Sequence, residues 1–173
     1  MPRPPERRRV PAPARGVAVV LQAPTRARPR PARRTVEQWV AAAVAGSRRR
    51  VAGTITVRLV DAREGRAYNE GYRGKSGPTN VLSFPAPEPP ARLRGEPPEL
   101  GDIIVCMPVV AREAREQGKA PRDHLAHLVV HGTLHLLGYD HERPAEARAM
   151  ESLETRILAR LGLPDPYAAE HVQ

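Results

Sequence analysis

Two periodicities divide the chain. VAVVLQ (17–22) is a short β-branched run bounded by Gly16 and an Arg/Pro stretch, the profile of a strand. TITVRLVD (54–61) sets Ile55, Val57 and Leu59 against Thr54, Thr56 and Arg58, the period-two alternation of a half-buried strand. NVLSFP (80–85), closed by Pro85, and LGDIIVC (100–106) predict two more. Elsewhere the spacing is helical. Val36, Trp39, Val40 and Ala43 share one face of a helix for which Thr35 can serve as cap. PVVAREAREQG (108–118) predicts a short helix with Pro108 in its first turn and Gly118 at its end. In RDHLAHLVVHGTLHLLG (122–138), Leu125, Leu128, Val129, Leu136 and Leu137 spread widely enough to predict a mostly buried helix, stopped by a left-handed Gly138. From Pro144 to Gly162, Met150, Leu153, Ile157, Leu158 and Leu161 mark an amphipathic terminal helix. The polar, Gly-rich stretch 62–80 and the Pro-rich stretch 85–99 read as connections. The sum is an α+β domain of about four strands with helices on one side.

Length and composition sharpen this picture. A chain of 173 residues supports one domain with its own core. Residues 1–15, MPRPPERRRVPAPAR, hold almost nothing apolar and read as a disordered extension, leaving a domain over 16–163 and a tail over 164–173. The net charge of +9 is unevenly placed: residues 1–50 carry 13 Arg against 2 acids (+11), and residues 51–173 carry 15 Lys+Arg against 17 acids (−2). A polyanionic partner is therefore met through the N-terminal arginines, while the remainder is near neutral. Cys106 is the sole cysteine, which excludes an intrachain disulfide and a cysteine-rich metal cluster and favours a reducing, cytoplasmic setting with no disulfide-linked partner. No apolar run reaches the roughly 20 residues of a membrane span, and no signal-peptide core opens the chain.

The chemistry concentrates in HGTLHLLGYDH (131–141). Residues four apart on a helix are neighbours, about 5–6 Å apart at Cβ. His131 and His135 can thus converge on one ion at roughly 2.0–2.1 Å each. A third ligand is reached if the helix stops and the chain folds back, which Gly138 permits, delivering His141. Three neutral imidazoles leave a fourth tetrahedral position for water, as a catalytic metal requires. The pattern is the metzincin zinc frame with one residue missing: Gly132 stands where those proteases carry the glutamate that deprotonates water. Glycine cannot act as a base, and in a helix interior it costs about 0.5–1 kcal/mol, so it predicts a close backbone approach. His127, one turn earlier, is a rival third ligand or a partner packed behind the ligands. His124 and His171 lack a partner pattern and read as solvent-facing.

HGTLHLLGYDH, together with NEGYRGKSGPTNVLSFP (69–85) and LGDIIV (100–105), resembles the YbeY family of bacterial metalloproteins, endoribonucleases of ribosomal RNA maturation, from about residue 17 to 162. The resemblance implies an α+β fold with a mixed sheet and one Zn2+ per chain on His131, His135 and His141. It also implies cleavage of single-stranded RNA at the 3′ end of small-subunit rRNA, ribosome quality control, and the small ribosomal subunit as partner. By motif match Arg73 is the functional arginine facing the metal cleft; its forked, permanent charge suits a phosphate. Lys75 is a candidate second phosphate contact. Asp102 is a candidate partner behind a metal-bound histidine or a strand-end cap, and Asp140 orients His141 or forms the turn. The chain departs from the family at Ser76 and Asn80, where acids are usual, which weakens a carboxylate base in that segment. Two other readings stay open: a metzincin-like zinc peptidase, opposed by Gly132, and a non-catalytic ribosome assembly factor with a structural zinc.

Overall fold

The computed structural model describes residues 16–74, 77, 79–88 and 98–168, without the side chain of residue 73. In chain order the elements are β1 (Val17–Gln22), α1 (Arg33–Ser47), β2 (Gly53–Val60), α2 (Ala62–Arg73), β3 (Val81–Pro85), β4 (Glu99–Cys106), α3 (Met107–Glu116), α4 (Pro121–Leu136) and α5 (Pro144–Arg160). The sheet runs β1-β2-β4-β3, with β1, β2 and β4 parallel and β3 antiparallel on the edge beside β4. It is the mixed four-stranded sheet of an α+β domain.

One face of the sheet holds the main core. Ile55, Val57 and Leu59 of β2 and Ile103 and Val105 of β4 pack against Val36, Trp39, Val40 and Ala43 of α1 and Leu125, Val129 and Leu134 of α4. The α5 residues Met150, Leu153, Ile157 and Leu158 join them. α4 lies close on the sheet because two glycines make room. A Cβ on Gly132 would stand 2.9 Å from Ile103 Cγ2 and 3.0 Å from Ser83 Oγ, and one on Gly101 would stand 2.7 Å from Leu136 Cδ2. The close approach expected at Gly132 is therefore present, and Ser83 Oγ donates to the Gly132 carbonyl at 3.2 Å.

The other face is covered too, which the strand pattern did not reveal. Residues 62–73, expected to be a connection, form α2, with Asp61 as N-cap accepting from Glu64 N at 2.9 Å. Tyr68 then packs with Val60, Leu82, Ile104, Cys106 and Phe84 in a second cluster. Helices thus flank both sides of the sheet. β2, expected to be half-buried, lies between two parallel neighbours and under helices on both faces, so Thr54 and Thr56 are buried as well. Thr35 does not cap α1: the helix starts at Arg33, with Ala32 in the cap position and no side-chain bond there. Gly118, Gly138 and Gly162 adopt positive φ (64°, 92°, 73°) just past α3, α4 and α5, as expected. Residues 164–168, read as the start of a tail, return to the domain: Pro166 is buried and its carbonyl accepts from Lys119 Nζ at 2.5 Å. Cys106 is free and buried. No helix among the described residues is long and apolar enough to cross a membrane.

Candidate metal centre

α4 presents His124, His127, His131 and His135 in a row, and the reversal after Gly138 adds His141 at its end. The turn is tied by Gly138 N donating to the His135 carbonyl (3.0 Å) and Tyr139 N to that of Leu134 (3.1 Å). Asp140 Oδ1 accepts from His141 N at 2.7 Å, so Asp140 shapes the turn.

The last three rings form a triangle. Their centroids lie 4.6 Å (His131–His135), 4.8 Å (His135–His141) and 5.5 Å (His131–His141) apart, and one donor nitrogen from each falls within 4.8 Å of the others. His131 Nε2 and His135 Nε2 are 3.1 Å apart. Two nitrogens sharing a tetrahedral ion at about 2.0–2.1 Å would be about 3.3 Å apart, so the donor set fits a metal ion. His135 is pushed down to about 4, first by burial and then by the neighbouring rings of His131 and His141, so its lone pair is free at neutral pH. His141 is exposed, which keeps one side of the triangle open.

Behind the triangle stands a residue that sequence reasoning missed. Glu154 of α5 is 0% exposed, and its Oε1 lies 2.5 Å from His131 Nδ1. Its Oε2 lies 3.0 Å from His127 Nε2 and also accepts from the Tyr167 hydroxyl. Burial works to raise its pKa, but the bonds from His127 and His131 and their charge prevail and hold it at about 2. An ionised carboxylate only accepts, so His131 carries its proton on Nδ1, and its Nε2, on the His135 side, is the nitrogen that would hold an ion. His127, His131 and Glu154 also form a group of metal-binding type. His127 directs its Nε2 to Glu154 and Tyr167, which makes it a member of this buried network behind the histidine triangle. The sequence signal for Glu154 was an acid flanked by Leu153 and Ile157 on the buried stripe of an amphipathic helix.

The remaining candidates are placed as follows. His124, expected to face solvent, is 5% exposed and lies 2.7 Å from Glu113 Oε2, a pairing between α3 and α4. His171, Lys75 and Ser76 lie outside the described residues. Arg73 is the final residue of α2, whose preceding Tyr72 packs on Phe84 of the edge strand (centroids 4.7 Å apart). Asp102 is buried on the α2 face, between Gly101 and Ile103, which face α4; the structure does not bring it to the histidines. Asn80 is structural: its Oδ1 accepts from Val81 N (2.7 Å) and its amide donates to Glu113 Oε2 (3.1 Å).

Comparison with known proteins agrees with this architecture. The family model for endoribonuclease YbeY matches residues 22–162. Endoribonuclease YbeY of Alkalilimnicola ehrlichii is 60% identical over 130 residues, covering 75% of this chain and 78% of that protein. That of Stenotrophomonas maltophilia is 56% identical over 141 residues, covering 81% and 86%. A Thermotoga maritima protein of known solution structure shares the fold, with a TM-score of 0.54 at 24% identity over 85% of this chain and 92% of that one. With its histidine triangle inside the matched region, this chain belongs to the endoribonuclease YbeY family.

Proposed function

We propose that the chain is a zinc-dependent, single-strand-specific endoribonuclease that matures the 3′ end of small-subunit rRNA and serves ribosome quality control in the cytoplasm. The observation that carries this reading is the open histidine triangle in a chain whose relatives are named endoribonucleases. His131, His135 and His141 would hold one zinc, which would supply Lewis acidity toward a phosphate oxygen or a bound water. Glu154 fixes the His131 tautomer, and Gly138 with Asp140 fixes the approach of His141. Arg73, at the end of α2 beside the edge strand, clamps the scissile phosphate, and Lys75 adds a second contact. The catalytic unit spans 16–163, and the 1–15 extension grips rRNA electrostatically. Unpaired RNA can be splayed into such a cleft.

The peptidase reading loses ground on one observation. The position after the first ligand, Gly132, faces Ile103 and Ser83 of the sheet, so even a glutamate there would meet protein atoms rather than the metal side. The assembly-factor reading is separated by experiment. Purified protein is assayed for zinc by elemental analysis and incubated with single-stranded RNA, duplex RNA and casein. Cleavage of single strands alone is expected, lost in His135→Ala with its zinc and in Arg73→Ala with zinc retained. Cleavage that survives His135→Ala points to a contaminant, and casein hydrolysis sinks the nuclease reading. Mapping rRNA 3′ ends in cells lacking the protein, complemented by the chain or by His135→Ala, tests the cellular role.

A further inference from the structure

We infer that Arg48, Arg49 and Arg50 form a phosphate-binding ledge beside the histidine centre, taking the backbone of the RNA strand as it leaves the metal; the inference rests on the nuclease reading above. α1 ends at Ser47, and Arg48 takes a left-handed conformation (φ 57°) with its N–H on the Ala45 carbonyl at 3.3 Å. The chain turns there, and all three arginines are exposed. The turn between His135 and His141 lies against this point. The Tyr139 hydroxyl donates to the Ser47 carbonyl at 3.2 Å, and the Arg49 guanidinium lies over the Tyr139 ring, Cζ 4.9 Å from the centroid. A Cβ on Gly138 would stand 3.5 Å from Arg49 Nη1. Arg49 is thus stacked on the same turn that carries the third metal ligand.

Stacking holds the plane of a guanidinium by its face and leaves its N–H edge for a forked contact with a phosphate. Among the described residues no carboxylate pairs with Arg48, Arg49 or Arg50, whereas Arg33 and Arg58 are paired with Glu37 and Glu64. The charge around His141 gives the strand a direction. From Asp140 to Glu146, the stretch that leads into α5, the exposed charged groups are Asp140, Glu142, Arg143 and Glu146, three acids against one base. On the α1 side stand three arginines with no acid between Ser47 and Ala52. A polyanion held at the metal is repelled along the first path and drawn along the second. Aromatic residues make up 3% of the chain, so base stacking contributes little and the grip is ionic.

The other cluster, Arg26, Arg28 and Arg30, provides a matched control. It precedes α1, while the ledge follows it, and a helix of 15 residues separates them by about 22 Å. Both sets are exposed, so neither substitution threatens the core. The test measures binding of a fluorescent, phosphorothioate-linked single-stranded RNA to the zinc-loaded full chain between about 50 and 200 mM salt. Each single-strand phosphate contact contributes about 0.7 to the slope of log K against log salt, so combined Arg48→Ala, Arg49→Ala and Arg50→Ala should lower it by about 2. Combined Arg26→Ala, Arg28→Ala and Arg30→Ala should lower it by less than one contact. An unchanged slope in the first variant, or an equal loss in both, overturns the ledge while RNA cleavage by the unaltered chain upholds the nuclease reading. If the unaltered chain neither binds nor cleaves RNA, the nuclease reading fails and the ledge with it.

Discussion

Glu154 shows how much one side chain can do from behind a site. It is buried, ionised, and engaged by two histidines and a tyrosine. Glu154→Gln keeps the shape but loses the charge that fixes the His131 tautomer, and metal affinity should fall about 10- to 100-fold by competition with a chromophoric chelator. A smaller loss than this would reduce Glu154 to a packing role. Glu113 has a different task at the α3–α4 contact. The hydrogen bond from His124 lowers its pKa most, burial opposes that, and the bond from Asn80 adds to it. A carboxylate with a depressed folded-state pKa adds stability that is complete above its ordinary range and is lost as pH falls through the folded value. Chemical denaturation at stepped pH should show stability declining below the ordinary 4.5 of a glutamate, with a shallower decline in Glu113→Gln. Equal slopes would mean that the pair contributes nothing.

The elements meet under close tolerances. Gly132 seats α4 on β4 and β3, and Gly132→Ala should destabilise the fold by about 1–3 kcal/mol in urea titration, since Ile103 and Ser83 must both give way. α2 depends on its first turn. Its sequence begins with Asp61 and Glu64 at the spacing of a capping box, followed by Gly65, Tyr68 and Tyr72 on one face. Asp61→Ala should cost about 1 kcal/mol. These signals were legible, yet the apolar face is only two tyrosines wide among glycines and charges. Hydrophobic periodicity alone therefore reads the stretch as a loop. The same narrowness explains the strand β2: Thr54, Thr56 and Arg58 look solvent-facing until α2 is laid over them, and Arg58 is then satisfied by Glu64 at 2.6 Å.

At the scale of the molecule, an ion held by His131, His135 and His141 would tie the end of α4 to the turn that follows it. Zinc titrated into metal-free protein should raise the melting temperature, equivalent to about 2.7 kcal/mol at a hundredfold excess over Kd, and should leave His135→Ala unmoved. A shift shared by both would place the binding elsewhere. The charge asymmetry is likewise a property of the whole. The arginines of residues 26–50 reach solvent at both ends of α1, and at the C-terminal end Arg49 lies over Tyr139 of the turn between His135 and His141.

What the sequence determined by itself was local. Helical spacing of His131 and His135, a glycine stop and His141 beyond it define a candidate ligand set within eleven residues, and short-range geometry needs no fold to be read. Strands β1, β3 and β4 and the core faces of α1, α4 and α5 were legible for the same reason: each pattern lies inside its own element. Only the tertiary structure decided what comes together from afar. It put Glu154 of α5 behind His131, 23 positions away, buried His124 against Glu113, turned Asp102 to the opposite face of the sheet and laid Arg49 on Tyr139, because such pairings are set by how helices cross a sheet rather than by spacing along the chain.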